Sequence, residues 1–444
     1  MQKQASISSS TFKGLFNRFL PAKVISRWFR LHGPAKRRKP IISCSQLVMG
    51  LVFHVLAGAG TLAEHVRQLT GKAITDSALS QRRTGVPWMV FEMIMEEALV
   101  PKARPKQLPE AFYQGLRLCG LDGSLFSVAN TPQVKERLSK AKTRRHKAAF
   151  AKVGVAVLVE LGLHNPIAAA IGPKEESEMV LSRQLLDRLP AKSLLLSDRY
   201  YGQPVLLIEF KETNPEGQRE FLVRAKGNLK RRLLECYADG SALVEIRSGK
   251  KTMLVREIVG RVRRGSGSWS QVRLWTSLLD WKKHPASELL ALYARRWEQE
   301  SFYRELKVDM RSSQLVQSHT PLTAAQEIAA LIMAYAILVD ERIKAAKVGE
   351  VPVLRISFLK TLEAVRGLWQ FLEVTYDLLD ARGVRLAVRR TMRRIAEMAL
   401  PKRRQRSCPR ALRQPVSSWP RLLKNSSVNS APEYELIPST IVKA

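Results

Sequence analysis

Residues 116–130 read LRLCGLDGSLFSVAN, a strand-forming run that sets one carboxylate, Asp122, between Leu118 and Leu125. An unpaired charge inside a strand is costly, so this one calls for a partner. Working outward, KVGVAVLVEL (152–161) alternates through Val153, Val155, Val157 and Val159, and PIAAAIG (166–172) reads as a third short strand. EESEMVLSRQLLDRL (175–189) has the pattern of an amphipathic helix. SLLLSDRYYG (193–202) reads as a buried strand running into a loop, PVLLIEFKE (204–212) as a helix and FLVRAKG (221–227) as another strand. Residues 111–228 hold three aspartates, Asp122, Asp187 and Asp198. Asp187 takes a polar helix position, whereas Asp198 closes the apolar run LLLS at the carboxyl end of its strand.

Three antiparallel strands, a helix, a strand and a helix are the opening order of a ribonuclease-H-like domain. The strands of Asp122 and Asp198 would be neighbours in such a sheet. Close carboxylates repel one another and require cations, for which hard Mg²⁺ ions with oxygen ligands are suited. The expected fold is therefore α/β, with residues 111–228 as the first part of a catalytic domain. Residues 229–283 change texture to short β-rich runs (ALVEIR, KTMLVREIVGRVRR, SWSQVRLWTSLL) between Gly and Ser turns, and are expected to be an insertion. Residues 284–345 would be the second part of the domain, one long helix from Pro285 to about Lys307 and another from Pro321 to Lys344. Residues 1–110 are expected to be a helical DNA-binding region, and 346–444 a basic helical region whose last 45 residues lack periodicity.

Most of the chemistry is carried by LYARRWEQESFYRELK, residues 292–307. On one regular α-helix Tyr293, Arg296, Glu300 and Lys307 fall within an arc of about 60°, spread along about 21 Å. A salt-bridged surface face is the ordinary reading of such a pattern, with Arg296 and Glu300 as an i,i+4 pair. Leu289, Leu292, Tyr303 and Leu306 flank the same arc, however, which puts Glu300 at a core boundary. A carboxylate held there among cations suits metal-assisted phosphate chemistry.

The whole chain is strongly basic. It has 444 residues, 74 Lys plus Arg against 39 Asp plus Glu, and a formal net charge of +35. Apolar residues make up 45 %, enough for real cores, and the length predicts about two to four domains. Such an excess repels itself unless a polyanion is near, which points to nucleic acid or an anionic membrane surface. The basic tetrad Lys36 to Lys39 reads as a solvated linker as readily as a contact. Cys44, Cys119, Cys236 and Cys408 lie far apart with no CxxC spacing, excluding a disulfide framework and a zinc finger and fitting a reducing compartment. Between Lys39 and Glu64, 24 residues carry no formal charge, but Ser43, Ser45, Gln46, His54 and three glycines favour a buried helix over a membrane span. No signal peptide is read at the N-terminus. None of the seven histidines has Arg at the third following position, which argues against a tyrosine recombinase.

The spacing Tyr293, two residues, Arg296, three residues, Glu300, six residues, Lys307 resembles the Tyr-Arg-Glu-Lys signature of insertion-sequence DDE transposases of the insertion-sequence-four group. RWEQE, LDGSLFSV and LLLSDRYYG stand at the family's Glu, first-Asp and second-Asp motifs, and HPASELLALY, RISFLK and PRALRQ are similar to further segments, so that the likeness covers most of residues 75–425. It implies that Asp122, Asp198 and Glu300 are catalytic and bind two Mg²⁺ ions, with Mn²⁺ as a substitute. It implies equally that Tyr293, Arg296 and Lys307 contact DNA phosphates. The expected activity is cut-and-paste transposition by a bacterial, cytoplasmic, nucleoid-associated enzyme, with no membrane partner. Its partners would be double-stranded DNA (element terminal inverted repeats and target) and a second copy in a homodimeric synaptic complex. A ribonuclease-H-like nuclease without strand transfer, and a catalytically inactive DNA-binding regulator derived from a transposase, are the rival readings. Gln299 departs from the family, which usually has an apolar residue before the Glu, so helix packing is expected to differ there. Trp269 and Trp275 lie in the domain where this group holds a flipped base on an aromatic ring, and neither aligns with it.

Overall fold

The structure, a computed structural model, describes residues 12–34, 40–138, 149–174, 176–214, 216–263, 269–311, 315–375, 378–401 and 433–437. The tetrad Lys36 to Lys39 and most of the last 45 residues lie outside the described residues. In chain order the helices are α1 (Phe12–Phe19), α2 (Ala22–His32), α3 (Cys44–Ala57), α4 (Leu62–Thr70), α5 (Asp76–Thr84) and α6 (Trp88–Ala98). Then follow β1 (Phe112–Tyr113), β2 (Leu116–Val128), α7 (Pro132–Arg137), β3 (Ala151–Glu160), β4 (Asn165–Gly172), α8 (Glu178–Arg183), β5 (Ser193–Gly202), α9 (Pro204–Glu212) and β6 (Arg219–Ala225). Four longer-range strands come next, β7 (Arg232–Cys236), β8 (Ala242–Ser248), β9 (Lys251–Arg263) and β10 (Trp269–Thr276). The chain continues through α10 (Ala286–Tyr293), α11 (Trp297–Arg304), β11 (Leu315–Val316), α12 (Pro321–Gly349), α13 (Phe358–Val374), α14 (Ala381–Glu397) and β12 (Glu433–Leu436). It is a mixed α/β protein that divides into two compact units, the first made of residues 1–111, 121–188 and 298–399, the second of 112–120, 189–297 and 400–444.

The first unit is built around α12. Thr320 caps it with its hydroxyl on Thr323 N, Pro321 occupies its first turn, and nearly every residue from Pro321 to Val339 is buried. Helices α3, α6, α13 and α14 and strand β4 pack around it. By length and composition α12 could cross a membrane, and 89 % of its most apolar window is buried inside the protein. The uncharged stretch before Glu64 is instead two helices bent by 116°, α3 and α4. Ser43 and Gln46 close a capping box on α3, whose buried face runs from Cys44 to Leu56. The strands of this unit run β4, β3, then residues 121–128 of β2.

The second unit carries a large sheet in the order β2 (residues 116–120), β5, β6, β10, β9, β8, β7. β2 pairs with β5, and β5 with β6, in parallel, while β6–β10, β10–β9, β9–β8 and β8–β7 are antiparallel. Strand β9 has two partners along one edge. Its first half pairs with β8, from Lys251 opposite Ser248 to Glu257 opposite Ala242. Its last residues pair with β12, from Gly260 opposite Leu436 to Arg263 opposite Glu433. Charges buried in this sheet are neutralised locally. Arg256, fully buried, donates to Ser241 Oγ at 2.7 Å and to the His284 carbonyl at 2.7 Å and pairs with Asp239. Glu257 takes Arg231, Arg273 and the Trp275 indole.

Two sequence expectations are corrected. The helix expected over 175–189 spans only Glu178–Arg183, after which turns bury Leu185, Leu186 and Leu189. The long helix from Pro285 is also not continuous. α10 ends at Tyr293, Ala294–Arg296 form a tighter 3₁₀ turn, α11 follows, and Glu305–Asp309 form a wider π turn. Angles counted at one constant pitch therefore do not describe this segment, and the chain passes from the second unit to the first between Trp297 and Glu298.

Candidate active site

In the first unit Asp122 stands half-buried on β2, and its Oδ1 accepts a hydrogen bond from Gly123 N at 2.9 Å. Glu300 stands half-buried on α11. Three residues further on, Tyr303 is buried and its hydroxyl donates to the backbone carbonyl of Asp122 at 2.8 Å. Residues three apart on a helix are surface neighbours. The Glu300 helix is thus bolted to the Asp122 strand at the aspartate itself. Burial pushes the Tyr303 phenol far up, and the charges of Asp122 and Glu178 push the same way. A proton at that oxygen is secure, so Tyr303 acts as a permanent donor.

Lys307 lies one step beyond. Its Nζ donates to Ser124 Oγ at 2.6 Å and to the Leu125 carbonyl at 2.7 Å, and it sits 4.9 Å from the centre of the Phe126 ring. Burial, and then the charges of Arg311 and Lys152, lower its ammonium to about 8. Of its three donors two are used on β2 and one remains.

Two further acids share this helix. Glu298 accepts from Gly162 N at 2.5 Å and so caps a backbone turn. Glu305 is buried against His164 Nδ1 at 2.9 Å, the Tyr335 hydroxyl at 2.5 Å and Arg342 at 3.6 Å. Burial raises its carboxyl, but His164 and then Arg342 and Tyr335 outweigh that and hold it at about 2. Both are structural ties.

Gln299 explains the departure from an apolar residue at its position. It is buried, and its Nε2 donates to the Val157 carbonyl of β3 at 3.0 Å while Oε1 has no hydrogen-bond partner. A half-satisfied buried amide gains little over an apolar side chain of similar size. Gln299→Leu is therefore expected to move the melting temperature by no more than about 3 °C in either direction and to leave DNA cleavage intact; a loss of cleavage would show that the amide orients Glu300.

In the second unit regular pairing of β5 with β6 stops at Ser197, one residue before Asp198, and resumes at Gly202. Asp198 is released from the ladder at that point, and its Oδ1 accepts from Tyr200 N at 2.6 Å. Gly202 is required by the close approach of the strands, since a Cβ there would lie 2.1 Å from the Arg224 carbonyl oxygen. Tyr293 donates to the Ser197 carbonyl at 3.1 Å, and burial pushes its phenol up, with Arg296 and Asp198 acting on it in opposite directions. Arg296 hydrogen-bonds Tyr293 and covers the Trp297 ring at 5.1 Å.

The structure thus groups Asp122, Glu300 and Lys307 in one unit and Asp198, Tyr293 and Arg296 in the other. Sequence reading missed Tyr303, which looks like an apolar-face aromatic, and Glu178. The side chain of Glu178 fills the space beside Gly123, where an added Cβ would lie 2.3 Å from its Cγ. A small residue after Asp122 was the available signal. Trp275 is fully buried on Glu257, so it is a core residue with no face for a base. Among the described residues no three or more His, Cys, Asp or Glu side chains are gathered as a metal site.

Carboxylates on a strand and on the helix bolted to it, in a chain this basic, describe an enzyme of nucleic-acid phosphate chemistry. A family model described as the transposase DDE domain matches residues 114–337, half of the chain. Among relatives, transposase InsG for insertion sequence element IS4 of Escherichia coli strain K12 is 25 % identical over 337 residues, 72 % of this chain and 72 % of its own. Putative transposase InsZ of the same strain is 25 % identical over 234 residues, 50 % of this chain and 74 % of its own. A piggyBac transposase synaptic complex with hairpin DNA, solved by electron cryomicroscopy, aligns over 88 % of this chain and 86 % of that one at a TM-score of 0.42 and 11 % identity. The chain belongs to the transposase DDE domain family, and its activity is that of a nuclease and strand transferase acting on DNA.

Proposed function

We propose that this chain is a cut-and-paste transposase of a bacterial insertion sequence, with Asp122, Asp198 and Glu300 as its catalytic carboxylates. The observation that carries the reading is the Tyr303 hydrogen bond to the Asp122 carbonyl, three residues along the same helix from Glu300. The pairing of β2 with β5 and of β5 with β6 in parallel, and the order β4, β3, β2 in the other unit, support a ribonuclease-H-like catalytic domain. In this reading residues 111–228 and 284–345 are its two parts and 229–283 a β-rich insertion. Residues 1–110 are the DNA-binding region and 346–444 a basic extension. The enzyme works in the bacterial cytoplasm at the nucleoid, on the terminal inverted repeats of its element and on target DNA, as a homodimer in a synaptic complex.

DDE transposases use divalent metals. The donor set here fits a hard ion: three carboxylates, with neither His nor Cys among them. Two Mg²⁺ ions, or Mn²⁺ in their place, would supply an activated water and stabilise the oxygen that leaves a phosphodiester. The chain's own groups do the positioning. Arg296 presents a planar fork to a phosphate, Tyr293 holds that arginine against the strand end of Asp198, and the third donor of Lys307 points a charge at the backbone of the bound DNA. The test is Mg²⁺-dependent cleavage and joining of a labelled element end by the purified full chain. Binding of that end with neither cleavage nor joining in Mg²⁺ or Mn²⁺ would make the protein a regulator.

A charge-assisted hydrogen bond is worth roughly 1.5–3 kcal/mol. Lys307→Ala should therefore lower cleavage or joining by about 10- to 100-fold while metal affinity is kept. Because the same ammonium also ties α11 to β2, thermal melting must be followed alongside. A fall in melting temperature with unchanged rates per folded molecule would make Lys307 a strut alone.

A further inference from the structure

Helix α14 of the first unit has a strongly one-sided charge. It carries Arg382, Arg385, Arg389, Arg390, Arg393 and Arg394, all exposed, against a single acid, Glu397, and it contains no lysine. At the α-helical pitch Arg382, Arg385, Arg389 and Arg393 share an arc of about 80° along about 17 Å of axis, with Arg390 and Arg394 beside it. Val384 and Ile395 are buried on the side away from that arc, Met392 and Ala396 are buried close to it, and all six arginines remain exposed. Among the described residues none of the six forms an ion pair.

This arrangement opposes the stability of the helix that bears it. Arg382 and Arg385 stand in or next to the first turn, where the helix dipole disfavours cations, against the complementing charge of Asp380 at the N-cap. Arg385 and Arg389, Arg389 and Arg393, and Arg390 and Arg394 are like charges four residues apart, a repulsive spacing. A surface meant for solubility alone has no need of guanidinium in place of ammonium. Guanidinium is weakly hydrated, permanently charged and shaped to grip phosphate oxygens two at a time.

We propose that this outer face of α14 is a sequence-independent docking strip for the phosphate backbone of duplex DNA, separate from the carboxylate site. The choice of DNA over an anionic lipid surface rests on the transposase reading and on the ladder spacing of the charges along one line. Contacts of this kind position a duplex and carry no sequence information. The strip would hold DNA adjoining the reacting bond, whether element or target.

The test uses the full chain with Arg382, Arg385, Arg389 and Arg393 all changed to Gln, and a second variant with all four changed to Lys. Each phosphate neutralised contributes about 0.9 to the slope of log affinity against log salt. The Gln variant should lose about 3 to 4 from the wild-type slope, equally on element-end and on random duplexes, with an unchanged melting temperature. The Lys variant should keep most of the slope. Wild-type binding with the same slope in the Gln variant overturns the strip and leaves the transposase reading standing. So does loss of binding to phosphatidylglycerol vesicles in the Gln variant while its DNA binding is unaltered. A wild-type chain that binds no duplex DNA overturns the transposase reading and the strip with it.

Discussion

Asp122→Asn, Asp198→Asn and Glu300→Gln are each expected to reduce DNA cleavage by at least ~10²-fold, since loss of groups that merely orient a metal ligand already costs 10- to 100-fold. Each exchange keeps the side-chain shape and removes one negative charge. Affinity for Mn²⁺, followed by calorimetry or electron paramagnetic resonance, should drop in every variant, because hard ions prefer carboxylate oxygens. Binding to an element end without metal should hold or tighten, a carboxylate no longer facing a phosphate. Double variants should add little, the three groups acting as a unit. Any one of the three variants cutting and joining as wild type does would remove that residue from the triad. Glu298 and Glu305 are poor replacements for Glu300, one capping Gly162 and the other closed in by His164, Tyr335 and Arg342.

The second large effect belongs to Glu305. Removing one partner from a buried ion cluster strands the others, typically at about 3–5 kcal/mol. Glu305→Ala should accordingly lower the melting temperature of the transition that includes α11 and α12 by roughly 10 °C or more. The pH dependence has a definite sign. The folded carboxyl is held at about 2 against an ordinary value of 4.5. Its stabilisation, about 3 kcal/mol, is therefore complete above pH 4.5 and is lost as pH falls from there toward 2. Acid melting curves of wild type and Glu305→Ala should converge across that window. Parallel curves would mean that the cluster contributes nothing through this proton.

Much of this was legible in the residues. Asp122 stands out because a charge in the middle of an apolar strand has few ordinary uses, and Asp198 because it follows four residues of buried strand. The order of strands and helices from 116 to 227 is carried by alternation and by Pro204, and it is the order observed apart from the short helix Pro132–Arg137, which was not read, and the 175–189 helix, which is cut short. The break after Tyr293 was not legible. ALYARRWEQE holds neither Gly nor Pro, and every residue in it is compatible with an unbroken helix, so the 3₁₀ turn is set by tertiary anchors. Those anchors are Tyr293 on Ser197 at one end and Gln299 on Val157 at the other. Three acids at 298, 300 and 305 also look alike in sequence. What marks off Glu298 and Glu305 is the Gly162 amide and the His164 ring that they meet, in a segment more than a hundred residues away.

Strand β12 changes what the end of the chain can tolerate. Its four residues take up the amides and carbonyls of Gly260 to Arg263 that lie beyond the reach of β8. Shortening the chain before residue 433 would turn that stretch of β9 into a bare edge, open to hydrogen exchange and to pairing with another molecule. A fusion partner placed directly after Leu436 would crowd the same ladder. Handles for purification or for attaching a fluorophore therefore belong at the other terminus, or on a spacer long enough to leave this pairing undisturbed.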